Sequence, residues 1–203
     1  MSKYSPLKVG ITGGIGAGKS TVARIFHLLC IPIYSADERA KWLMEHDEDL
    51  KARIISSFGE NSYQKEGNLN REYVAKEIFS NLENTKIING LVHPAVKLDF
   101  IDWASKQLSP YVLKEAALLY ESGSYQDLDK IIHVSSPLKL RVLRVLLRDP
   151  NRTKEQVNGI INRQFSDEKK NSMADFVIKN VENKMIIPQV LEIHSKLVGI
   201  SGV

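Results

Sequence analysis

The sequence is poor in cysteine: Cys30 is the only one in 203 residues. A single thiol cannot close an intramolecular disulfide or build a thiolate metal cluster, so an ordinary apolar core must hold the fold. The five histidines, His27, His46, His93, His133 and His194, are scattered without ligand spacing, and no zinc site is expected. Long apolar runs are also missing; none approaches the roughly 18 residues that a membrane span needs. A strand-like segment begins before residue 10, which leaves no room for a secretory leader. These absences predict a cytoplasmic protein without a membrane partner. Charge of one sign is lacking too. Lys and Arg total 28 against 24 Asp and Glu, a net charge of +4. That excess does not call for nucleic acid; a groove for a polyanionic small molecule or a plain soluble surface accounts for it equally well. There are no internal repeats and no low-complexity linker.

What is present begins at Gly10: "GITGGIGAGKST". Gly13, four residues, then Gly18-Lys19-Ser20 is the G-x-x-x-x-G-K-[ST] spacing of a phosphate-binding loop. Gly13, Gly14, Gly16 and Gly18 let the backbone take positive φ and wrap closely around an anion, with successive N–H groups pointing inward. A helix starting near Lys19 adds the positive end of its dipole. Lys19 is expected to reach the β- and γ-phosphates and the Ser20 hydroxyl to ligate Mg²⁺. The context fits. "LKVGIT" (Leu7–Thr12) reads as a buried strand, and "KSTVARIFHLL" sets Val22, Ile25, Phe26 and Leu29 on one helical face.

Strands and helices alternate along the chain, which predicts an α/β fold with a parallel sheet covered on both faces. Five strands are expected: Leu7–Thr12, Cys30–Asp37, Tyr111–Glu121, Lys130–Ser136 and Asp175–Asn180. The second leads into a helix from Arg39 to Leu50. The fourth leads into a helix with Ser136 as N-cap and Pro137 at its first position. A last helix, Ile187–Leu197, should turn Val190, Leu191, Ile193, His194 and Leu197 inward. About sixty mostly helical residues separate strands two and three, more than a crossover requires, and 137–173 form a smaller insertion.

Ligands of open parallel sheets sit at the carboxyl ends of strands, which singles out Ser35, Asp37, Glu115, Ser135 and Asn180. Asp37 suits either a base that accepts a hydroxyl proton or a helix N-cap. Glu115 suits a Mg²⁺ ligand, direct or through water, or an exposed strand-end charge. Glu121 either binds substrate or caps the next turn. Arg141, Arg144, Arg148 and Arg152 are spaced three, four and four apart, on one helical face, with Leu140, Leu143, Leu146 and Leu147 opposite. That pattern is a solvated amphipathic face or, given a phosphate loop, a set of cations for a transferring phosphoryl group. No aromatics interleave with the arginines, which weakens a nucleic-acid reading. A GTP switch is excluded by the lack of D-x-x-G and N-K-x-D, since Asn183-Lys184 runs into Met185-Ile186. A transport ATPase is excluded by the lack of an S-G-G-Q-type signature. A small-molecule kinase that closes over its substrates remains, alongside a nucleotide-binding regulator without catalysis.

Several segments in order resemble the dephospho-coenzyme A kinase family: "GITGGIGAGKSTVA", "YSADERAKWL", "NREYVAKEIFSN", "LVHPAV", "ALLYESG", "LRVLLRD" and "INRQFSDEKKNSMADFVIKN". The resemblance implies a P-loop NTPase-type three-layer fold over a single kinase domain. Its core would be 1–50, 110–136 and 174–203, its helical substrate-binding lobe 51–109 and its helical lid 137–173. It implies ATP-dependent phosphorylation of the 3′-hydroxyl of dephospho-coenzyme A, giving coenzyme A and ADP. By position, Asp37 is the expected general base, with Lys19 and Arg148 also catalytic. Gly14, Ile15, Gly16, Ala17, Gly18, Lys19, Ser20 and Thr21 are expected to hold ATP, with Arg148 at the phosphates and Asn180 near the adenine. Arg71, His93 and Glu121 carry over to the acceptor pocket. The family often has Asp where Ser35 stands, which leaves Asp37 as the one carboxylate of that pair, and often has Pro where Ala117 stands.

Overall fold

The computed structural model describes residues 5–202, apart from the side chains of residues 79, 80 and 82. In chain order the elements are β1 (Leu7–Thr12), α1 (Lys19–Leu28), β2 (Ile33–Ser35), α2 (Ala36–His46), α3 (Glu48–Phe58), α4 (Arg71–Ser80), α5 (Leu82–Ser105), β3 (Tyr111–Glu115), β4 (Lys130–Ser135), α6 (Leu138–Arg148), α7 (Lys154–Ile161), α8 (Asp167–Met173), β5 (Phe176–Lys179) and α9 (Ile186–Ser201). The chain divides into two compact units. The first comprises the chain up to Ser35 and from Ala104 onward; the second is Ala36–Trp103.

The first unit is built on one parallel sheet of five strands in the order β2-β3-β1-β4-β5. Alternation within each strand divides its residues between two faces. Val9, Ile11, Tyr111, Leu113, Ile132, Val134 and Ile178 face α1 and α9 and form the main core with Val22, Phe26, Val190, Ile193 and Leu197. The opposite face carries Val112 and Ile131, and there Gly10 leaves room for Leu119 and Leu128. The register pairs Ile11 with Glu115, Ser35 with Glu115, and Thr12 with His133. The polar strand ends therefore line up along one edge of the sheet.

Several sequence boundaries shift for local reasons. β2 is only Ile33–Ser35, because the Ile31 N–H still bonds to Phe26 O at the end of α1 and the next helix opens at Ala36. The stretch expected to run as one helix to Leu50 breaks at Asp47, whose carboxylate caps α3 by accepting the Leu50 N–H. β3 ends at Glu115 rather than running on to Glu121. Ser136 is not an N-cap: α6 starts at Leu138, after Pro137, with no side-chain cap. Leu191 lies on the exposed side of α9, and His194 is half-buried, where its Nδ1 meets the Tyr111 hydroxyl at 2.7 Å.

The second unit is helical. Leu50, Ile54, Val74, Ile88, Val92, Val96 and Phe100 are buried in it. Its polar ties are local. The Tyr63 hydroxyl donates to Met44 O, the Tyr73 hydroxyl to Phe58 O, and Arg39 makes a two-armed pair with Asp99.

Beneath the sheet edge of the first unit, His133 is fully buried, with Nδ1 2.9 Å from Asn171 Oδ1. Burial holds its imidazole below the ordinary value. The Asn171 bond and Asp167 oppose that shift, and Lys170 and Arg141 add to it. The folded protein thus disfavours the protonated ring, while the unfolded chain protonates it near pH 6.5, roughly. Its contribution to stability is complete above that pH and declines as the pH falls. Thermal denaturation between about pH 7 and pH 5 should therefore show a shallower loss of Tm for His133→Gln than for the wild type. Identical slopes would clear His133 as a source of acid sensitivity.

Candidate active site

The residues after β1 form a turn that passes close to other backbone. Gly16 and Gly18 have φ of +76° and +93°, where a Cβ is strained. A Cβ on Gly14 would collide with the Arg141 guanidinium, one on Gly16 with the Arg141 main chain, and one on Gly18 with the Asn180 side chain. Gly18 is also the left-handed residue from which α1 starts. The glycine spacing read from the sequence thus has a packing cause as well as a conformational one. Lys19 follows at the start of α1, and its Nζ donates to Gly13 O at 2.9 Å, so the ammonium folds back over the turn. Ser20 Oγ donates to Glu115 Oε1 at 3.0 Å. The expected hydroxyl and the expected strand-end acid are neighbours, set by the β1–β3 register. Thr21 is exposed on the next position of α1.

Asn180, just past β5, donates from Nδ2 to Ala17 O at 2.8 Å. Its N–H bonds to Ser135 O across the sheet edge. It also accepts from Arg144 Nη2 at 3.4 Å, while Arg144 Nη1 donates to Ser136 Oγ at 3.0 Å. Asn180 therefore joins the loop to α6.

The arginine pattern on α6 has a different outcome from a solvated face. Arg141 is 5% exposed, whereas Leu143 and Leu147 are exposed. Arg141 and Arg144 turn inward because a carboxylate, one main-chain carbonyl and two side-chain oxygens are there to receive them. Arg141 Nη1 donates to Asp167 Oδ1 at 2.8 Å and Nε to Ile15 O at 3.0 Å. Arg148, the last residue of α6, keeps a side chain 66% exposed and reaches Asp149 Oδ2 at 3.2 Å. Arg152 does not extend the helical face. α6 stops at Arg148, and Arg152 lies in the turn before α7, 3.7 Å from the same Asp149 oxygen. Arg148, Asp149, Arg152 and Gln156 line a cavity of about 420 Å³.

The sequence gives Asp37 and Glu121 two readings each. Asp37 is exposed within the first turn of α2, which already opens at Ala36, so it is not the N-cap. It follows Ser35, the last residue of β2, by two positions. Glu121 is largely buried in the first unit. Its Oε1 accepts the Phe165 N–H at 2.7 Å and faces Lys170 Nζ at 2.9 Å; the Lys170 side chain is 0% exposed. Those contacts tie the segment before α8 to the turn after β3, and neither reading of Glu121, substrate ligand or turn cap, anticipated them.

In the second unit, Arg71 opens α4 and pairs with Glu45 at 3.0 Å. It borders an apolar cavity of about 360 Å³ with Met44, Leu69, Val74, Ile78 and Val92. His93, exposed on α5, is not among the residues lining that cavity. Among the described residues no group of three or more His, Cys, Asp or Glu could hold a metal by itself, and no helix is long and apolar enough to cross a membrane. Sequence reasoning missed Asp167, Gln164 and Lys170. Asp167 and Lys170 were marked only by the charged run "DEKK" and Gln164 by nothing, and charge alone does not separate a buried pair from a solvated helix.

The family model described as dephospho-CoA kinase matches residues 7–185. A dephospho-CoA kinase of Bacteroides fragilis is 38% identical over 188 residues, covering 92% of this chain and 91% of the relative. A crystal structure of a Thermus thermophilus protein superposes with a TM-score of 0.81 at 30% identity, over 99% of this chain and 100% of the other. The dephospho-CoA kinase of Campylobacter jejuni gives 0.69 at 27% identity, over 95% and 97%. Matched by the family model over residues 7–185 and by a relative 38% identical over 92% of its length, the chain belongs to the dephospho-CoA kinase family.

Proposed function

We propose that this protein transfers the terminal phosphoryl group of ATP to the 3′-hydroxyl of dephospho-coenzyme A, giving coenzyme A and ADP, the last step of coenzyme A synthesis, in the cytoplasm. The observation that carries the reading is the assembly at one sheet edge of the phosphate-type turn, Lys19 and the Ser20–Glu115 pair in a chain that belongs to this family.

Phosphoryl transfer passes through a loose, highly charged transition state, so positioning and neutralisation supply most of the rate. The turn's N–H groups and the α1 N-terminus hold the donor's phosphates. Lys19 exchanges Gly13 O for phosphate oxygens, and Arg148 exchanges Asp149. Asn180 fixes the turn at Ala17 and lies toward the adenine. Asp37 orients the acceptor hydroxyl and takes its proton as the new O–P bond forms and the bond to the ADP leaving oxygen breaks. Arg71 and its apolar cavity suit the long, largely uncharged arm of the acceptor. The oxygen donors of Ser20 and Glu115 fit Mg²⁺, which usually relies on few protein ligands and on substrate phosphates. When bound it neutralises charge on those phosphates.

Purified protein with ATP and Mg²⁺ should release ADP with dephospho-coenzyme A and not with other small alcohols or nucleoside monophosphates. Release with a different acceptor would replace the substrate, and no stimulation by any acceptor would point to a regulator. Asp37→Asn should bind ATP nearly as the wild type does while kcat falls on the order of 10²–10⁴; unimpaired turnover removes Asp37 as the base. Arg148→Ala should lower kcat more than it raises the acceptor KM. A change confined to the acceptor KM would move Arg148 to the acceptor side.

A further inference from the structure

One residue of the phosphate-type turn, Ile15, is held at both its N–H and its C=O by groups that the functional reading does not use. The Ile15 N–H donates to Gln164 Oε1 at 3.0 Å, and Ile15 O accepts from Arg141 Nε at 3.0 Å. Arg141 is itself fixed. Asp167 Oδ1 takes its Nη1 at 2.8 Å, while Asp167 Oδ2 takes Ser135 Oγ at 2.9 Å and the Ser136 N–H at 3.2 Å. The arginine's main chain lies against Gly16 and its guanidinium against Gly14, with no room for a side chain on either glycine. α6 and the 164–167 segment thus hold the turn at three consecutive residues, Gly14, Ile15 and Gly16.

We propose that Arg141, Gln164 and Asp167 form a brace that sets the turn in its phosphate-binding shape before nucleotide arrives. This rests on the reading that the turn holds the ATP phosphates. In this role they are positioning residues, acting through Ile15 rather than on the reacting atoms. The Arg141 charge is compensated by Asp167, so its contribution lies in the geometry of the turn. A preformed cradle does not have to be ordered when the donor binds, and donor affinity is where its loss should register. The acceptor gains nothing from it.

The test is Arg141→Lys, which keeps a cation for Asp167 and removes the fork that reaches Ile15 O. Nucleotide binding is measured by calorimetry with ATP, and KM is measured for both substrates. The brace predicts a Tm close to wild type, ATP binding and KM weakened about tenfold, as for a lost hydrogen bond from a charged donor, and an unchanged KM for dephospho-coenzyme A. Gln164→Ala, which frees the N–H of the same residue without touching the Arg141–Asp167 pair, should reproduce the split. If both variants bind ATP as the wild type does, or if the two KM values rise together, the brace is overturned while the kinase reading stands. If the wild-type protein itself binds no ATP, both fall.

Discussion

Between β1 and α1 the chain runs through a gap with no room for a side chain at Gly14, Gly16 or Gly18. α6 closes it on one side at Gly14 and Gly16, and Asn180 closes it on the other at Gly18. The site depends on that confinement. A loop free in solvent would present its N–H groups in many directions and would lose much of its anion affinity to the ordering it required. A loop wedged between a helix and a strand end has already given up that freedom during folding. Glycine has no Cβ, so Gly16 and Gly18 take positive φ there without strain, and the same lack lets Arg141 and Asn180 approach the turn closely.

The parallel register supplies the second half of the arrangement. Ile11, Ser35 and Glu115 lie side by side across three adjacent strands, so the chain leaves β1, β2 and β3 at the same level. The Ser20–Glu115 contact follows, because α1 begins directly above that edge. A shift of one residue in β3 would turn Glu115 to the opposite face and remove the acid from the hydroxyl. Placement of these polar groups is therefore secured by the apolar residues of the strands, Val9, Ile11, Tyr111 and Leu113, which fix the register by burying one face.

Much of this was legible in the sequence and some was not, for physical reasons that differ by residue. The turn and its helix were readable because the glycine spacing and the 3.6-residue period are local properties. The five strands were readable as apolar runs. Their ends were not, because Ile31 and the residues after Glu115 are apolar without being paired. The break at Asp47 was masked by flanking helix formers; only the cap geometry shows that the aspartate ends one helix and starts the next. The arginine row of α6 is the instructive case. Periodicity located one face correctly for Arg141, Arg144 and Arg148, but amphipathicity carries no information on which side is buried. Here Arg141 and Arg144 face in, toward Asp167, Ser136, Asn180 and the Ile15 carbonyl, while Leu143, Leu147 and Arg148 are exposed. Apart from Ser136, 8 residues from Arg144, the partners that invert the pattern lie 26 to 126 residues away in sequence, beyond any local rule.

The cations assigned to the phosphates rest on internal partners here. Lys19 lies on the Gly13 carbonyl, and Arg148 with Arg152 on Asp149. Such resting bonds hold mobile charges near their working positions and limit repulsion among them. They also differ in what they oppose. The Lys19 bond is to a neutral carbonyl of the turn itself, so a phosphate oxygen carrying full charge displaces it readily. Arg148 sits on a carboxylate in a solvent-exposed pair, where screening keeps the attraction small, and a polyphosphate offers more negative charge than one aspartate. Arg141 is the contrast, because its carboxylate partner is shielded and multiply bonded. Exchange there would strand a buried charge, which is costly. The three arginines of α6 that share one face are therefore graded by burial, from the fixed Arg141 through the half-buried Arg144 to the exposed Arg148. On the proposed function, that gradient separates the residue that shapes the turn from the one that moves onto a substrate.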